Sequence, residues 1–122
     1  MQSGDSAVAD ASHPVSPETL ALVRTGRGLS GGLLVCATWE TDSRPEVLEL
    51  ASRLTSETRA EPGCISFELC LPVEHSRRVV VLERYTDVVA FDAHRHTPHF
   101  LEIMQGQIAP LLSSRQIVVH EV

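Results

Sequence analysis

Lysine is absent: all ten basic residues are arginines, set against sixteen acidic residues for a formal net charge of −6. Nucleic acid rewards a basic stripe, and Arg24, Arg27, Arg77 and Arg78 make only two isolated pairs. No nucleic-acid partner is expected, and the arginine-only usage reads as compositional bias. Long hydrophobic runs are also missing. No stretch approaches the roughly 20 apolar residues of a membrane span, and residues 1–30 carry no basic start followed by an apolar run. The expectation is a cytoplasmic chain with no membrane partner. Cysteine is scarce, with Cys36, Cys64 and Cys70 forming no C-x-x-C pair. Cys64 and Cys70 read as one strand, which puts them about 20 Å apart, whereas a disulfide needs Cα atoms within about 7 Å. The expectation is buried thiols in a reducing compartment. There is no G-x-S-x-G nucleophile elbow, and Ser66 falls in mid-strand. Gly31-Gly32 opens a strand rather than a helix, so it is no phosphate loop.

What is present suffices for one domain with a proper core: 122 residues, of which 43% are hydrophobic. Residues 1–32 read as an N-terminal extension, rich in Gly, Ser, Ala and Pro. Ser16-Pro17-Glu18 starts a short helix expected over 17–25, stopped at Gly26, and this segment should dock on the domain or on a partner subunit. Residues 33–122 alternate cleanly. Leu33 to Trp39 is a nearly continuous apolar run and reads as a central strand. Ser43-Arg44-Pro45-Glu46 looks like a capping box, and Val47, Leu50, Ala51 and Leu54 continue it as a helix to about Ala60. Cys64 to Leu71 reads as the second strand, with Ile65, Phe67, Leu69 and Leu71 on one face. Val79 to Tyr85 returns beside it as a hairpin. Thr86 or Asp87 caps a helix carrying Val88, Phe91 and His94 inward. Thr97-Pro98 restarts it with Phe100, Leu101, Ile103, Met104 and Ile108 as apolar positions, and Ile117 to Val119 forms the last strand. The order β-α-β-β-α-β predicts an α+β, ferredoxin-like split βαβ fold, a four-stranded antiparallel sheet with helices on one face. Val80 and Leu82 make the other face apolar as well, which predicts a homodimer through the sheet faces, a dimeric α/β barrel.

Groups able to move protons crowd the stretch from Glu83 to Phe100. Period two puts Val81, Glu83 and Tyr85 on one strand face, and His94 and His99 fold back over it. A carboxylate beside an imidazole fixes its tautomer and raises its basicity, as a general base requires. The same residues also suit a plain packing role, Glu83 at a helix start and His94 as a satisfied core histidine. A metal site is not expected from His94, His96 and His99. Residues two apart on a helix point about 200° apart, and no acid or thiol stands at a recognised ligand spacing.

Four short segments, Pro62-Gly63-Cys64-Ile65-Ser66-Phe67, Leu82-Glu83-Arg84-Tyr85-Thr86-Asp87, Ala90-Phe91-Asp92-Ala93-His94 and Thr97-Pro98-His99-Phe100, stand in this order. Together they resemble the antibiotic biosynthesis monooxygenase (ABM) domain, whose pattern runs E-x-G-C-x-x-[YF], E-x-[YW]-x-D, then A-[FL]-x-x-H-x-x-[ST]-x-H-[FY]. The resemblance covers residues 33–122. It implies a pocket between the sheet and the second helical region, with His94, Glu83 and Tyr85 in catalytic roles. Phe67, Phe91, His99, Phe100, Trp39 and Val81 would then hold substrate. It further implies O₂ chemistry without flavin, metal or other cofactor, the substrate supplying the electrons. Tyr85, Val81 and Phe91 stand where anthrone oxygenases resemble one another in tryptophan, asparagine and tyrosine; haem degraders share that tryptophan. The His94 and His99 pair looks instead like the quinol-oxygenase and dione-isomerase branch. The function implied is oxidation of a small electron-rich aromatic, a quinol, phenol or anthrone, to a quinone. An isomerase of a small hydroxy-dione and a non-catalytic ligand-binding dimer are the alternatives. Arg84 is the one arginine this reading places in the constellation, which counts against a phosphate-bearing dione.

Overall fold

The computed structural model describes residues 15–24 and 32–122. In chain order the elements are α1 (Pro17–Leu22), β1 (Val23–Arg24), β2 (Leu33–Thr41), α2 (Arg44–Arg59), β3 (Cys64–Cys70), β4 (Arg78–Tyr85), α3 (Val88–His94), α4 (Phe100–Ile108), a 3₁₀ turn (Ala109–Leu111) and β5 (Leu112–Glu121). The sheet runs β1-β5-β2-β4-β3, and β5, β2, β4 and β3 pair antiparallel. This is the ferredoxin-like frame. No described helix is long and apolar enough to cross a membrane.

Strand alternation explains the layering. On β2 the residues Leu33, Val35, Ala37 and Trp39 are buried, and on β4 Val79, Val81, Glu83 and Tyr85 are buried. Their intervening neighbours look outward, as the two-residue period demands. Helix α2 covers one end of the inner face with Val47, Ala51 and Leu54, joined by Phe100, Ile103, Met104 and Ile108 of α4. A second cluster at the other end gathers Val15, Leu33, Val35, Tyr85, Val88, Phe91 and Val119. Each large apolar side chain so buried contributes about 1.5–3 kcal/mol, so these two clusters fix where the helices sit.

Several local expectations are corrected. The N-terminal helix ends at Leu22, three residues short of the expected Thr25, because the chain enters the sheet: Val23 and Arg24 pair in parallel with Val119 and His120. Gly26 lies outside the described residues. The extension docks on its own domain, where Ser16 caps α1 and bonds Asp92 through both its N–H (3.1 Å) and its hydroxyl (2.8 Å). Ser43 makes no side-chain cap, and its own N–H is taken by Thr41 Oγ1 at 2.9 Å. A β-bulge between Cys64 and Ser66 shifts the register, so Phe67 faces inward while Ile65 is turned out, 54% exposed. Leu71 lies beyond the strand and is exposed. Helix α4 is wound in wider i→i+5 turns, closed by Ala109 N–H on Met104 C=O, and Leu101 falls on its solvent side. Strand β5 begins at Leu112 rather than Ile117, since β2 offers pairing partners to its polar first half.

Candidate active site

Three local devices bring the site together. Asp87 accepts the Ala90 N–H at 2.8 Å and so starts α3, whose inner side carries Val88, Phe91 and His94, all buried. Thr97 then turns the chain. Its hydroxyl donates to the His94 carbonyl at 2.8 Å and accepts the Phe100 N–H at 3.2 Å, which seats His99 next to the end of α3. The third device is the turn ahead of β3. Gly63 lies so close to α3 that a Cβ there would stand 2.2 Å from the Ala90 Cβ, and its carbonyl accepts the Thr86 N–H at 2.9 Å. Only glycine permits that approach, and it carries Glu61 up against His94.

The result is a pair of hydrogen-bonded networks. Glu61 Oε2 accepts from His94 Nδ1 at 2.9 Å and from His99 Nε2 at 2.5 Å. On the sheet side, the Tyr85 hydroxyl donates to Glu83 Oε1 at 2.7 Å. The His94 ring packs edge-on to Phe100 (5.1 Å between centroids) and tilted to Tyr85 (5.4 Å). Burial alone would raise the Glu61 carboxyl, but the hydrogen bonds and charges of His94 and His99 outweigh it and hold Glu61 below its ordinary value. Glu83 goes the other way: burial pushes it up, against the opposing pull of His94 and the Tyr85 hydrogen bond. Burial, reinforced by Glu83, also drives Tyr85 far above the usual phenol range. Cys64 is pushed up to about 11, by burial first and then by Glu61 and Glu83.

A cavity of about 210 Å³ opens beside these groups. Of the residues expected at a site, His94, Glu83, Trp39, Phe91 and Phe100 line it. Tyr85, Phe67 and Val81 are sealed in the core, so Tyr85 stands behind the cavity wall, bonded to Glu83 and packed on His94 and Phe91. His99 lies on the far side of Glu61, on an outer groove with Arg53, Glu57 and Glu102. Arg84 is exposed on the opposite sheet face, and the arginines of the cavity are Arg95 and Arg115. Sequence reasoning missed those two, Glu61 and also Leu22 from the docked extension. The leading glutamate of the E-x-G-C pattern was the available signal for Glu61.

The ligand atoms of Glu61, His94 and His99 all lie within 4.8 Å of one another, a set that could hold a divalent metal. The acid that sequence spacing failed to supply therefore comes from the turn ahead of β3. Both imidazoles, however, address a single carboxylate oxygen at 2.5 and 2.9 Å. Donors around a tetrahedral ion with bonds of about 2.1 Å sit roughly 3.4 Å apart. These contacts have the dimensions of shared protons. An ionised carboxylate can only accept, so Nδ1 of His94 carries a proton, and its Nε2 has no hydrogen-bond partner among the described residues.

An α+β sandwich of this topology, with an imidazole–carboxylate pair at an aromatic-walled cavity, defines a ferredoxin-like domain of the ABM class. The family model for antibiotic biosynthesis monooxygenase matches residues 34–106, and the chain belongs to that family. It is 35% identical over 72 residues to the Mycobacterium tuberculosis protein named "Putative monooxygenase Rv0793", covering 59% of this chain and 69% of that one. The solved structure of Rv0793 superposes with a TM-score of 0.68 at 30% identity, over 73% of this chain and 92% of that one. A Caulobacter crescentus structure titled as a putative antibiotic biosynthesis monooxygenase shares the fold, with a TM-score of 0.72 at 21% identity over 77% and 92% of the two chains. An uncharacterised Synechocystis protein, sll1783, is 25% identical over 81 residues, and the chain spans 55% of its length. The N-terminal segment that supplies Leu22 lies outside the family match.

Proposed function

We propose that this protein is a cofactor-independent monooxygenase that oxidises a small electron-rich aromatic, a quinol, phenol or anthrone, with O₂. The observation that carries the reading is His94. It lines the cavity, its Nδ1 is held by Glu61, and its Nε2 has no hydrogen-bond partner among the described residues, which suits an acceptor. In this reading Nε2 takes the proton from the substrate's phenolic or benzylic position, and the resulting anion supplies the electrons for O₂. For an anthrone methylene, one oxygen atom becomes the new carbonyl and the other leaves as water. Glu83, whose carboxyl stays protonated more readily than an exposed one, donates a hydrogen bond to the developing oxyanion. Glu61 and His99 continue from His94 to the outer groove and give its proton a route to solvent. Oxygen consumption by metal-free protein with anthrone or 1,4-dihydroxynaphthalene tests this. Uptake should fall 10²–10⁴-fold in His94→Ala. No uptake over such a panel, or an unchanged rate in the variant, would sink it.

A second reading draws on Arg95 and Arg115 in the cavity, which suit an anionic hydroxy-dione. The same imidazole would then move a proton between carbons, with no need of O₂, and turnover under anaerobic conditions separates the two. Assembly belongs to the proposal as well. The outer sheet face presents Leu82 (38% exposed) and Val118 (37%), with Ile65 (54%) on the bulge, and a second copy of the chain is the natural cover. Sedimentation should give a homodimer, and Leu82→Glu a monomer that stays folded. A reducing compartment, the cytoplasm, fits the three free thiols.

A further inference from the structure

Two guanidinium groups line the cavity with Glu83 as the one acid beside them. Arg95 follows α3, and its Cζ stands 5.9 Å from the ring centroids of both Phe91 and Phe100, with no side-chain hydrogen bond among the described residues. Arg115 comes from β5, in register with Trp39, and its Nη1 donates to Gln105 Oε1 at 2.9 Å. Two other arginines found acids, Arg77 with Asp42 at 2.6 Å and Arg78 with Glu40 at 2.7 Å, while Arg44 and Arg59 serve backbone carbonyls. Neither Arg95 nor Arg115 makes an ion pair among the described residues. The acid that shares the cavity with them is Glu83, whose carboxyl is raised by burial and already holds the Tyr85 hydroxyl. Arg115 keeps an exposed side, yet its partial burial and then the charge of Arg95 hold it below its ordinary value, against the opposing pull of Glu83. Like charges brought together at an apolar wall have a use when an anion completes them.

We propose that Arg95 and Arg115 form a carboxylate subsite, and that the ligand is an aromatic acid of one or two fused rings. Its ring lies against Trp39, Phe91, Phe100 and Met104, and its carboxylate bridges the two guanidiniums. The cavity, at about 210 Å³, is smaller than the roughly 300–1,000 Å³ that holds drug-sized ligands, which limits the ring count. A planar guanidinium fork matches a carboxylate with two parallel hydrogen bonds. The inference builds on the cavity being the substrate site of the proposed oxygenase and narrows which aromatics enter it.

Calorimetric titration of the full chain with 2-naphthoate, 2-naphthol and 2-naphthyl phosphate tests it without turnover. The naphthoate should bind at least 10-fold more tightly than the naphthol, and the advantage should shrink as salt is raised. Arg115→Gln and Arg95→Gln should each remove most of that preference, with naphthol affinity kept within about twofold as the sign of an intact cavity. Equal binding of acid and alcohol, binding of neither, tightest binding of the phosphate ester, or a preference that survives both substitutions would overturn the carboxylate subsite. Oxygen uptake with neutral anthrone but no carboxylate preference sinks this inference alone. A carboxylate preference with no uptake from any aromatic, acidic or neutral, sinks the oxygenase reading alone.

Discussion

Glu61 and Glu83 flank the same imidazole, yet the fold drives their acidities apart. Glu61 sits in a turn between α2 and β3, and its Oε2 is shared by two imidazole N–H groups, so its charge is welcome and its carboxyl falls below the ordinary value. Glu83 projects from mid-strand β4 into the space under α3, where burial dominates, and its carboxyl rises. The difference teaches that proximity to His94 does not by itself set a carboxylate's state. What decides is how many donors meet the charge against how much water is lost. One carboxyl is shifted toward its ionised form and the other toward its protonated form, the division of labour that the proposed base chemistry at His94 would use.

The largest way to break this comparison is to remove the charge of Glu61. Glu61→Gln keeps the size but meets two imidazole N–H groups with a neutral amide. Hydrogen bonds to a charged group contribute about 1.5–3 kcal/mol, so stability at pH 7 should drop by about that much. The pH dependence carries the sign. A folded pKa below the ordinary 4.5 gives stability that is complete above 4.5 and disappears as pH falls through the lowered value. Wild-type urea midpoints should therefore fall more steeply on the acid side than those of the variant. Identical acid limbs would show that the Glu61 charge is not held as the geometry says.

Much of this site was legible along the chain and some of it was not, for physical reasons. Period two placed Glu83 and Tyr85 on the inner face, and the spacing of Val88, Phe91 and His94 turned the histidine inward, because local periodicity encodes which side an element shows. Glu61 and Arg115 reach the site through tertiary pairing. Glu61 depends on the close approach of Gly63 to Ala90, and Arg115 on a β5 that starts five residues earlier than its apolar core suggests. Leu22 depends on an extension that turns from helix into a sheet edge. The β-bulge at Cys64 and Ser66 reversed Ile65, since an inserted residue breaks alternation without any change in composition.

Glu83 offers the complementary test, with a smaller effect and the opposite slope. A folded pKa above the ordinary 4.5 means the folded state holds a proton that the unfolded chain has lost. The stability it gives is complete below 4.5 and fades as pH rises through the raised value. Glu83→Gln preserves an acceptor for the Tyr85 hydroxyl and cannot ionise. As pH rises from 4.5 through the raised value the variant should lose less thermal midpoint than wild type. A wild-type chain whose stability rises over that interval, with a variant that falls behind, would show Glu83 to be a stabilising anion.

Asp92, on α3, is a third carboxylate near the site. Burial raises it, but the Ser16 hydroxyl, Thr19 and the Ser16 N–H outweigh that and hold it below the ordinary 3.8. Its hydrogen-bond donors are neutral groups from the docked extension, and the imidazole beside it, His96 with Nδ1 3.8 Å from Oδ1, acts through charge alone. Ser16→Ala removes the 2.8 Å hydroxyl contact and the cap on α1 but leaves the backbone N–H at 3.1 Å. The cost should be about 1 kcal/mol at neutral pH, and it should narrow as pH falls through the lowered Asp92 value, because the protonated acid no longer needs the hydroxyl. Urea unfolding of Ser16→Ala and wild type at pH 7 and pH 3 measures both numbers. A loss that is the same at both pH values would mean that Ser16 acts through the α1 cap alone and that the Asp92 charge is held by the backbone contact.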